Sequence, residues 1–233
     1  MWTTDTGGFL MKYRHELKHE ISYGDMLVLR QRLSAVAKSD PHAKDGKYLI
    51  RSLYFDNAAD KALKEKQDGV NVREKFRIRY YNDDLTFIRL EKKSKMNSLG
   101  NKQSAPLTKE QAQMIVDGDY GWMAKSKEPL ILEFYTKIKS EGLRPKTIVD
   151  YTREPFVFGP GNVRVTLDYD IRTGLSSTDF LNPNCVTMPA GENSIILEVK
   201  WDEYLPDIIR DAVQIRGCRT GAFSKYATCR MYD

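Results

Sequence analysis

The sequence contains little cysteine and little histidine, with three residues of each. Cys185, Cys218 and Cys229 are odd in number and lack CxxC spacing, which argues against a disulfide framework and a thiolate metal site. We expect them to be reduced packing residues. Long apolar runs are also absent: none approaches the ~20 residues of a membrane span, and the N-terminal stretch MWTTDTGGFLMKYR lacks the order of a signal peptide. These absences predict a cytoplasmic protein without a membrane span.

No internal repeat, low-complexity tract or proline-rich linker divides the 233 residues, of which 41% are hydrophobic. That share is enough for a proper core. We expect a flexible N-terminal segment at residues 1–10, followed by one domain at residues 11–233. The net charge is +5 and the pI is near 8.9, which is basic but well short of a histone-like composition. The positions of the cations therefore matter more than their total.

The cations are concentrated in residues 73–95, where two alternating runs are joined by Asn82–Asp84. Because residues i and i+2 of a strand share a face, the pattern predicts a β-hairpin with two different faces. One face carries six cations around a single carboxylate: Lys75, Arg77, Arg79, Arg89, Lys93 and Lys95 around Glu91. The other face is apolar: Phe76, Ile78, Tyr80, Ile88 and Leu90. A face of this composition indicates a polyanionic ligand.

Residues 12–21, KYRHELKHEI, fit two interpretations. As a helix they contain the zinc-protease motif H-E-x-x-H, formed by His15, Glu16 and His19. A zinc-protease helix needs apolar surroundings and a third ligand downstream, but Ser22 begins a helix-capping sequence and His42 is the only other histidine. We therefore favour a strand, which puts Arg14, Glu16, Lys18 and Glu20 on one face.

The remaining segments alternate between helix and strand patterns. We predict helices from Ser22 to about residue 39, at 58–66 with Asn57 as the cap, from Thr108 to Val116, at 130–139, and from about Pro206. Strands are predicted at 47–56, 144–158, 163–171 and 194–201. Residues 96–107 and 173–193 are loop-like in composition. The fold class is α+β, with about seven or eight strands.

Several predicted strands repeat the polar-outward pattern of the hairpin. One explanation is an ordinary solvated antiparallel sheet with helices on its apolar side. The identity of the polar groups favours another, because like charges opposed across a sheet repel. An eight-stranded antiparallel β-barrel with the cations in its lumen and helices packed outside would place those charges around phosphate. Glu16, Glu91 and Glu198 are then either ligands of Mg²⁺ or Mn²⁺, or ion-pair partners of neighbouring lysines and arginines.

The sequence resembles the triphosphate tunnel metalloenzymes, and among them the VTC domain, the polyphosphate polymerase branch. The resemblance spans nearly the whole chain and is carried by short motifs in a characteristic order: Glu16-Leu-Lys18, SLYFDN at 52–57, Arg77-Ile-Arg79, Glu91-Lys-Lys93, Tyr151-Thr-Arg153, Arg164 in VRVTLD, Glu198-Val-Lys200 and Ser224-Lys225. It implies an eight-stranded antiparallel triphosphate tunnel that holds the triphosphate of ATP and a growing polyphosphate.

The resemblance and the alternation together give a set of site residues. The predicted catalytic residues are Lys18, Arg77, Arg79, Lys93, Arg153, Arg164, Lys200 and Lys225. The predicted substrate-binding residues are Arg14, Arg89, Lys95, Lys102, Tyr151 and Ser224. The predicted ligands of a Mn²⁺ or Mg²⁺ cofactor are Glu16, Glu91 and Glu198.

The implied reaction transfers the γ-phosphoryl group of ATP onto a polyphosphate chain. Superfamily triphosphatases tend to show Glu-x-Glu-x-Lys, whereas this chain has Arg14-x-Glu16-x-Lys18, which removes a metal ligand. Lys95 stands where the eukaryotic polymerase tends to have histidine. The alternatives are an inorganic triphosphatase and a non-catalytic polyphosphate-binding module. The expected partners are ATP and polyphosphate; nucleic acid is not expected, because Phe76, Tyr80 and Trp201 alternate away from the cations and cannot stack bases beside them.

Overall fold

The computed structural model describes residues 14–96, 99–215, 221 and 223–232. The predictions for residues 1–10 and for Cys218 lie outside these residues. Within them the strands are β1 (His15–Ile21), β2 (Lys38–Ser39), β3 (Tyr48–Asp56), β4 (Val72–Tyr81), β5 (Asp84–Met96), β6 (Leu99–Leu107), β7 (Arg144–Phe158), β8 (Val163–Thr173), β9 (Met188–Pro189) and β10 (Ile195–Trp201). The α-helices are α1 (Tyr23–Val36), α2 (Lys61–Gln67), α3 (Lys109–Val116), α4 (Pro129–Glu141), α5 (Asp207–Ala212) and α6 (Lys225–Cys229). The predicted α+β class is confirmed.

All the strands belong to one antiparallel sheet. Its order is β1-β10-β8-β7-β3-β4-β5-β6, with the short strands β2 and β9 paired to β7 and β8. In a flat sheet β10 and β5 would be about 24 Å apart, since five strand spacings separate them. Lys93 on β5 nevertheless lies close enough to Lys200 and Glu198 on β10 for both charges to act on its pKa. The sheet is therefore strongly curled. Within the described residues no hydrogen-bonded ladder joins β6 to β1, so the predicted closed barrel is not shown.

Helices cover the convex face of the sheet in two apolar clusters. Strands β3–β6 pack against α3 and α4, and Phe76 stacks on Phe134 with ring centroids 5.0 Å apart. Strands β8 and β10 pack against α1 and α5, where Leu29, Leu33 and Ile209 are completely buried. Burial of a large apolar side chain stabilises the fold by about 1.5–3 kcal/mol. The apolar stripes of these strands thus face the helices, and the charged stripes face the concave side, where Tyr54, Tyr151 and Tyr226 of α6 belong to a third apolar cluster.

The N-terminal segment settles the ambiguity over the H-E-x-x-H motif. His15, Glu16 and His19 lie on β1, so the zinc-protease interpretation is wrong. The helix begins one residue after Ser22, as predicted. Ser22 Oγ accepts the backbone N–H of Asp25, and the Asp25 carboxylate accepts the backbone N–H of Ser22, which completes a capping box.

Two local predictions were wrong. Residues 99–107, predicted as loop, form β6, because pairing with β5 satisfies their backbone groups and buries Ala105 and Leu107 under α3 and α4. Helix α2 begins at Lys61 and not at residue 58. Its first turn is held by Asp56, whose carboxylate accepts the backbone N–H groups of Ala62 and Leu63 at 2.9 and 3.1 Å.

Among the helices that the structure describes, none combines the length and the apolar character needed to cross a membrane.

Candidate functional site

The concave face of the sheet collects charged side chains from most of the long strands. We call this surface the basic face and define it by the charged residues that share it: Glu16, Lys18, Lys75, Arg77, Arg79, Glu91, Lys93, Lys102, Arg153, Asp168, Glu198 and Lys200. Cations outnumber carboxylates on it by two to one. The cause is local: a period of two in an extended strand sends each charged residue to the face opposite its apolar neighbours.

Glu91 lies at the centre of the hairpin part of the basic face. Its Oε2 accepts hydrogen bonds from Nε and Nη2 of Arg77 at 2.8 and 2.6 Å, Arg79 Nη1 lies 3.8 Å away, and Lys102 pairs with the other carboxylate oxygen. Burial alone would raise the pKa of Glu91, but these three cations hold it far below its ordinary value. This arrangement favours the ion-pair alternative for Glu91. Its role as a metal ligand stays a prediction.

Hydroxyl groups orient the two arginines. Arg77 Nη1 donates to the Tyr54 hydroxyl at 2.7 Å, whereas Arg79 donates to Tyr151 at 2.9 Å and to Ser52 at 2.9 Å. Both guanidinium groups are nearly inaccessible to solvent and cannot swing away without losing these bonds. The structure thus brings Tyr151 next to Arg79, and its role in substrate binding stays a prediction. The sequence did not identify Tyr54 and Ser52 as site residues, because the pairing of β3 with β4 is known only from the tertiary structure.

Three lysines form a row across β4, β5 and β6. Lys75 is directly opposite Lys93, and Lys93 is directly opposite Lys102. Burial, together with Arg77 and Lys18, lowers the pKa of Lys75 to about 8; burial and the charges of Arg77 and Lys200 put the pKa of Lys93 well below its ordinary value. Among the described residues, neither Lys75 nor Lys93 forms an ion pair. Such a row of like charges costs stability until an anion binds.

The opposite end of the strand order contributes a mixed cluster from β1 and β10. Lys18 Nζ lies 3.1 Å from Glu16 and 3.3 Å from Glu198, and Lys200 contacts both of the same carboxylates, with 3.5 Å to Glu16. Lys18 and Lys200 hold the pKa of Glu16 and that of Glu198 below their ordinary values against the effect of burial. Both carboxylates are therefore ionised at neutral pH.

This cluster fits a hard divalent cation. Mg²⁺ and Mn²⁺ are held in such sites by one or two carboxylates together with phosphate oxygens and water. Glu16 and Glu198 supply two carboxylates from neighbouring strands. Thr166 faces the same side opposite Glu198, and its buried hydroxyl has no hydrogen-bond partner within the described part of the chain. Those residues include no group of three or more His, Cys, Asp or Glu side chains arranged for a metal, so phosphate oxygens would have to complete the shell.

Helix α6 packs against β7 and β8 on the concave side. Arg153 forms a bidentate ion pair with Asp168, with N–O distances of 2.6 and 2.7 Å. Lys225 of α6 contacts the same carboxylate at 2.6 Å. Burial would raise the pKa of Asp168, but these cations lower it to about 2. Ser224 is the N-cap of α6, where its Oγ accepts the backbone N–H of Ala227. Lys225 and Arg153 thus share one carboxylate, and the phosphate-binding roles of Lys225 and Ser224 stay predictions.

Four of the predicted residues lie toward the rim. Arg14 pairs with Asp202 at 2.8 Å, and Arg164 pairs with Asp40 at 2.8 Å. Arg89 is half-buried and donates to the exposed Ser104 at 3.2 Å. Lys95 is half-buried, near the end of β5. These side chains share the concave side with the basic face but are separate from its buried centre.

Aromatic rings also lie on the concave side, which the alternation argument did not foresee. Phe76 and Tyr80 do point to the convex core, and Trp201 packs beside the second apolar cluster. The Tyr54 ring, however, lies against Arg77, the Tyr81 ring against Arg79, and the Phe87 ring against Arg89. Tyr81 and Phe87 are each two residues from their arginine along the strand. The spacing of Phe87 and Arg89 in the sequence was the available signal. The absence of a nucleic-acid partner stays a prediction.

The structure defines a class of fold, a curled antiparallel sheet whose concave side carries more cations than carboxylates. The chain belongs to the VTC domain family, whose model matches residues 13–232. This membership confirms the predicted family and indicates a phosphoryl-transfer enzyme of a polyphosphate-related tunnel family.

Solved structures are similar to this chain at low sequence identity. A "putative adenylate cyclase" from Bacillus halodurans superposes with a TM-score of 0.52 at 14% identity, covering 81% of this chain and 80% of that chain. The PH1819 protein from Pyrococcus horikoshii gives a TM-score of 0.42 at 14% identity, with 86% and 84% covered. A comparison with curated protein sequences gave no match.

Proposed function

We propose that this protein is a metal-dependent polyphosphate polymerase that uses ATP. The observation that carries the proposal is the row formed by Lys75, Lys93 and Lys102, whose charges oppose one another across three strands. A chain of phosphates presents one or more negative charges at each unit, so it can compensate a row of cations that a single carboxylate cannot. The family membership supports the same substrate class.

In the proposed reaction a terminal oxygen of polyphosphate attacks the γ-phosphorus of ATP. The bond between that phosphorus and the β–γ bridging oxygen breaks, ADP leaves, and the polymer gains one phosphate. Phosphoryl transfer of this kind needs in-line positioning and stabilisation of spread negative charge more than proton transfer. Arg77 and Arg79, fixed by Tyr54 and Tyr151, are suited to holding the transferred group, and Lys93 to neutralising it.

Glu16 and Glu198 would hold the divalent cation, which when bound supplies positive charge between phosphate oxygens. Lys18 and Lys200, which now contact these carboxylates, would then be available to the phosphate chain. We further propose that the concave side is the inner wall of a tunnel. The influence of Lys18 on β1 upon Lys93 on β5 supports this, since the two strands are near opposite ends of the strand order.

The test is incubation of the full chain with ATP and Mn²⁺, followed by measurement of acid-insoluble phosphate and ADP. The proposal expects both products in equal molar amounts, and their loss in Lys93→Met. Lys109→Met, an exposed lysine on α3, is the matched control and should keep full activity. Release of orthophosphate alone would select the triphosphatase. Tight, salt-sensitive polyphosphate binding without turnover at any metal concentration would select a binding module.

A further inference from the structure

An aromatic cluster lies on the concave side, beyond the arginines of the hairpin. Tyr81 and Phe87 have ring centroids 6.5 Å apart, and Tyr48 meets Tyr81 edge-on at 5.5 Å. Tyr81 follows Arg79 by two residues on β4, and Phe87 precedes Arg89 by two residues on β5. The rings therefore occupy the next positions on the same face, toward the end of the sheet that carries the turn at 82–83. We call these three residues the aromatic platform.

Phe87 is the accessible member of the platform, whereas Tyr48 is buried and Tyr81 is partly buried behind it. Phe87 exposes 51% of its surface, whereas Phe76 on the convex side exposes 2%. An exposed phenylalanine gains little for the fold, because its apolar surface stays in contact with water. Cations flank the rings: the guanidinium of Arg89 lies 5.3 Å from the Phe87 ring centroid, and that of Arg79 lies 5.8 Å from the Tyr81 ring centroid.

A ligand in which a flat aromatic ring is attached to a polyanion would fit a surface where aromatic rings lie beside cations. Tyr81 is four positions after Arg77 on β4, which is about 13 Å along the strand. That span is comparable with the length of an extended nucleoside triphosphate. We infer that the aromatic platform stacks the base of the ATP whose phosphates lie on the basic face, an inference that rests on the proposed function. The γ-phosphate then points inward to the lysine row, and the base lies at the turn end.

The platform offers ring faces rather than a set of base-reading hydrogen bonds. Every nucleobase has a π-face, so stacking of this kind tolerates different bases. Tripolyphosphate, which has no base, gains nothing from the platform. ATP and GTP therefore bind with similar affinity, and both bind more tightly than tripolyphosphate. The growing polymer lies on the side of the lysine row that is remote from Tyr81 and Phe87.

The test measures binding of a nonhydrolysable ATP analogue and of tripolyphosphate by titration calorimetry in Mn²⁺. Phe87→Ala weakens binding of the analogue by about tenfold, since loss of base–aromatic stacking commonly costs about 1–3 kcal/mol, and leaves tripolyphosphate binding unchanged. Phe87→Trp keeps the affinity and adds fluorescence that the analogue quenches and tripolyphosphate does not. Tyr23→Ala, which removes an exposed tyrosine at the start of α1, is the matched control and changes neither affinity.

Three results would overturn the inference. If Phe87→Ala binds the analogue as tightly as the unchanged chain does, the base is not at the platform, although the phosphate site stands. If Phe87→Ala weakens both ligands equally, the ring supports the phosphate site and not a base. If the unchanged chain binds neither ligand, the proposed function fails together with the platform.

Discussion

Replacing Lys75 with methionine tests whether the basic face stores unfavourable charge. The pKa of Lys75 falls from 10.5 to about 8, through burial and the charges of Arg77 and Lys18. Keeping this lysine charged at pH 7 therefore costs roughly 3 kcal/mol, as an upper estimate. Methionine retains most of the aliphatic length without the charge. Lys75→Met is expected to raise the free energy of unfolding at pH 7 by about 1–3 kcal/mol, measured by urea denaturation.

The pH dependence gives the same test a second readout. Between pH 8 and 10.5 the unfolded chain binds a proton at Lys75 that the folded chain has released. Stability therefore rises with pH across this window and is lowest below it. Lys75→Met is expected to lose part of that rise. It is also expected to lose part of the thermal stabilisation by tripolyphosphate, because one of the cations that bind the anion is gone.

Lys92 on the neighbouring strand provides a control, because its replacement is expected to lower the free energy of unfolding, whereas replacement of Lys75 is expected to raise it. It lies on the convex side of β5 and pairs with Glu74 at 2.9 Å and with Glu133. Lys92→Met removes the shared partner of two carboxylates and is expected to destabilise the fold without changing tripolyphosphate binding. The reasoning would be refuted if Lys75→Met were as destabilising as Lys92→Met, since Lys75 would then be a structural partner and not an uncompensated charge.

Three further predictions concern the carboxylates of the basic face. Asp168→Asn leaves Arg153 without its carboxylate and is expected to lose roughly 3 kcal/mol in urea denaturation; because the pKa of Asp168 is about 2, its contribution is complete above pH 4 and is lost as the pH falls toward 2. Glu91→Gln is expected to lose roughly 2–4 kcal/mol by the same assay, with Mn²⁺ affinity unchanged, because Glu91 compensates Arg77. Glu198→Gln is expected to weaken Mn²⁺ binding at least about tenfold in calorimetry with tripolyphosphate present.

Each of these has a contrary outcome. An Asp168→Asn variant as stable as the unchanged chain at pH 7 and at pH 3 would mean that the ion pair contributes nothing net. A Glu91→Gln variant that keeps its stability but loses Mn²⁺ would make Glu91 a metal ligand. A Glu198→Gln variant with normal Mn²⁺ affinity would place the cation elsewhere on the basic face.

The alternation in the hairpin predicted which residues share a face, because the period of two is a property of any extended chain. Arg77, Arg79, Glu91 and Lys93 lie together for that reason. Alternation within one hairpin does not reveal Tyr54, since its bond to Arg77 depends on which strand pairs with β4. It also missed β6, whose sequence has weak strand propensity and is held by pairing with β5.

The sequence by itself determined the family, the class of fold and the sidedness of each strand, because these follow from motif order and from local periodicity. Only the tertiary structure decided which charges compensate one another. It paired Glu91 with Arg77 and Lys102, and left Lys75 and Lys93 facing each other. Charge interactions depend on distance and burial in three dimensions, and the curl of the sheet sets both.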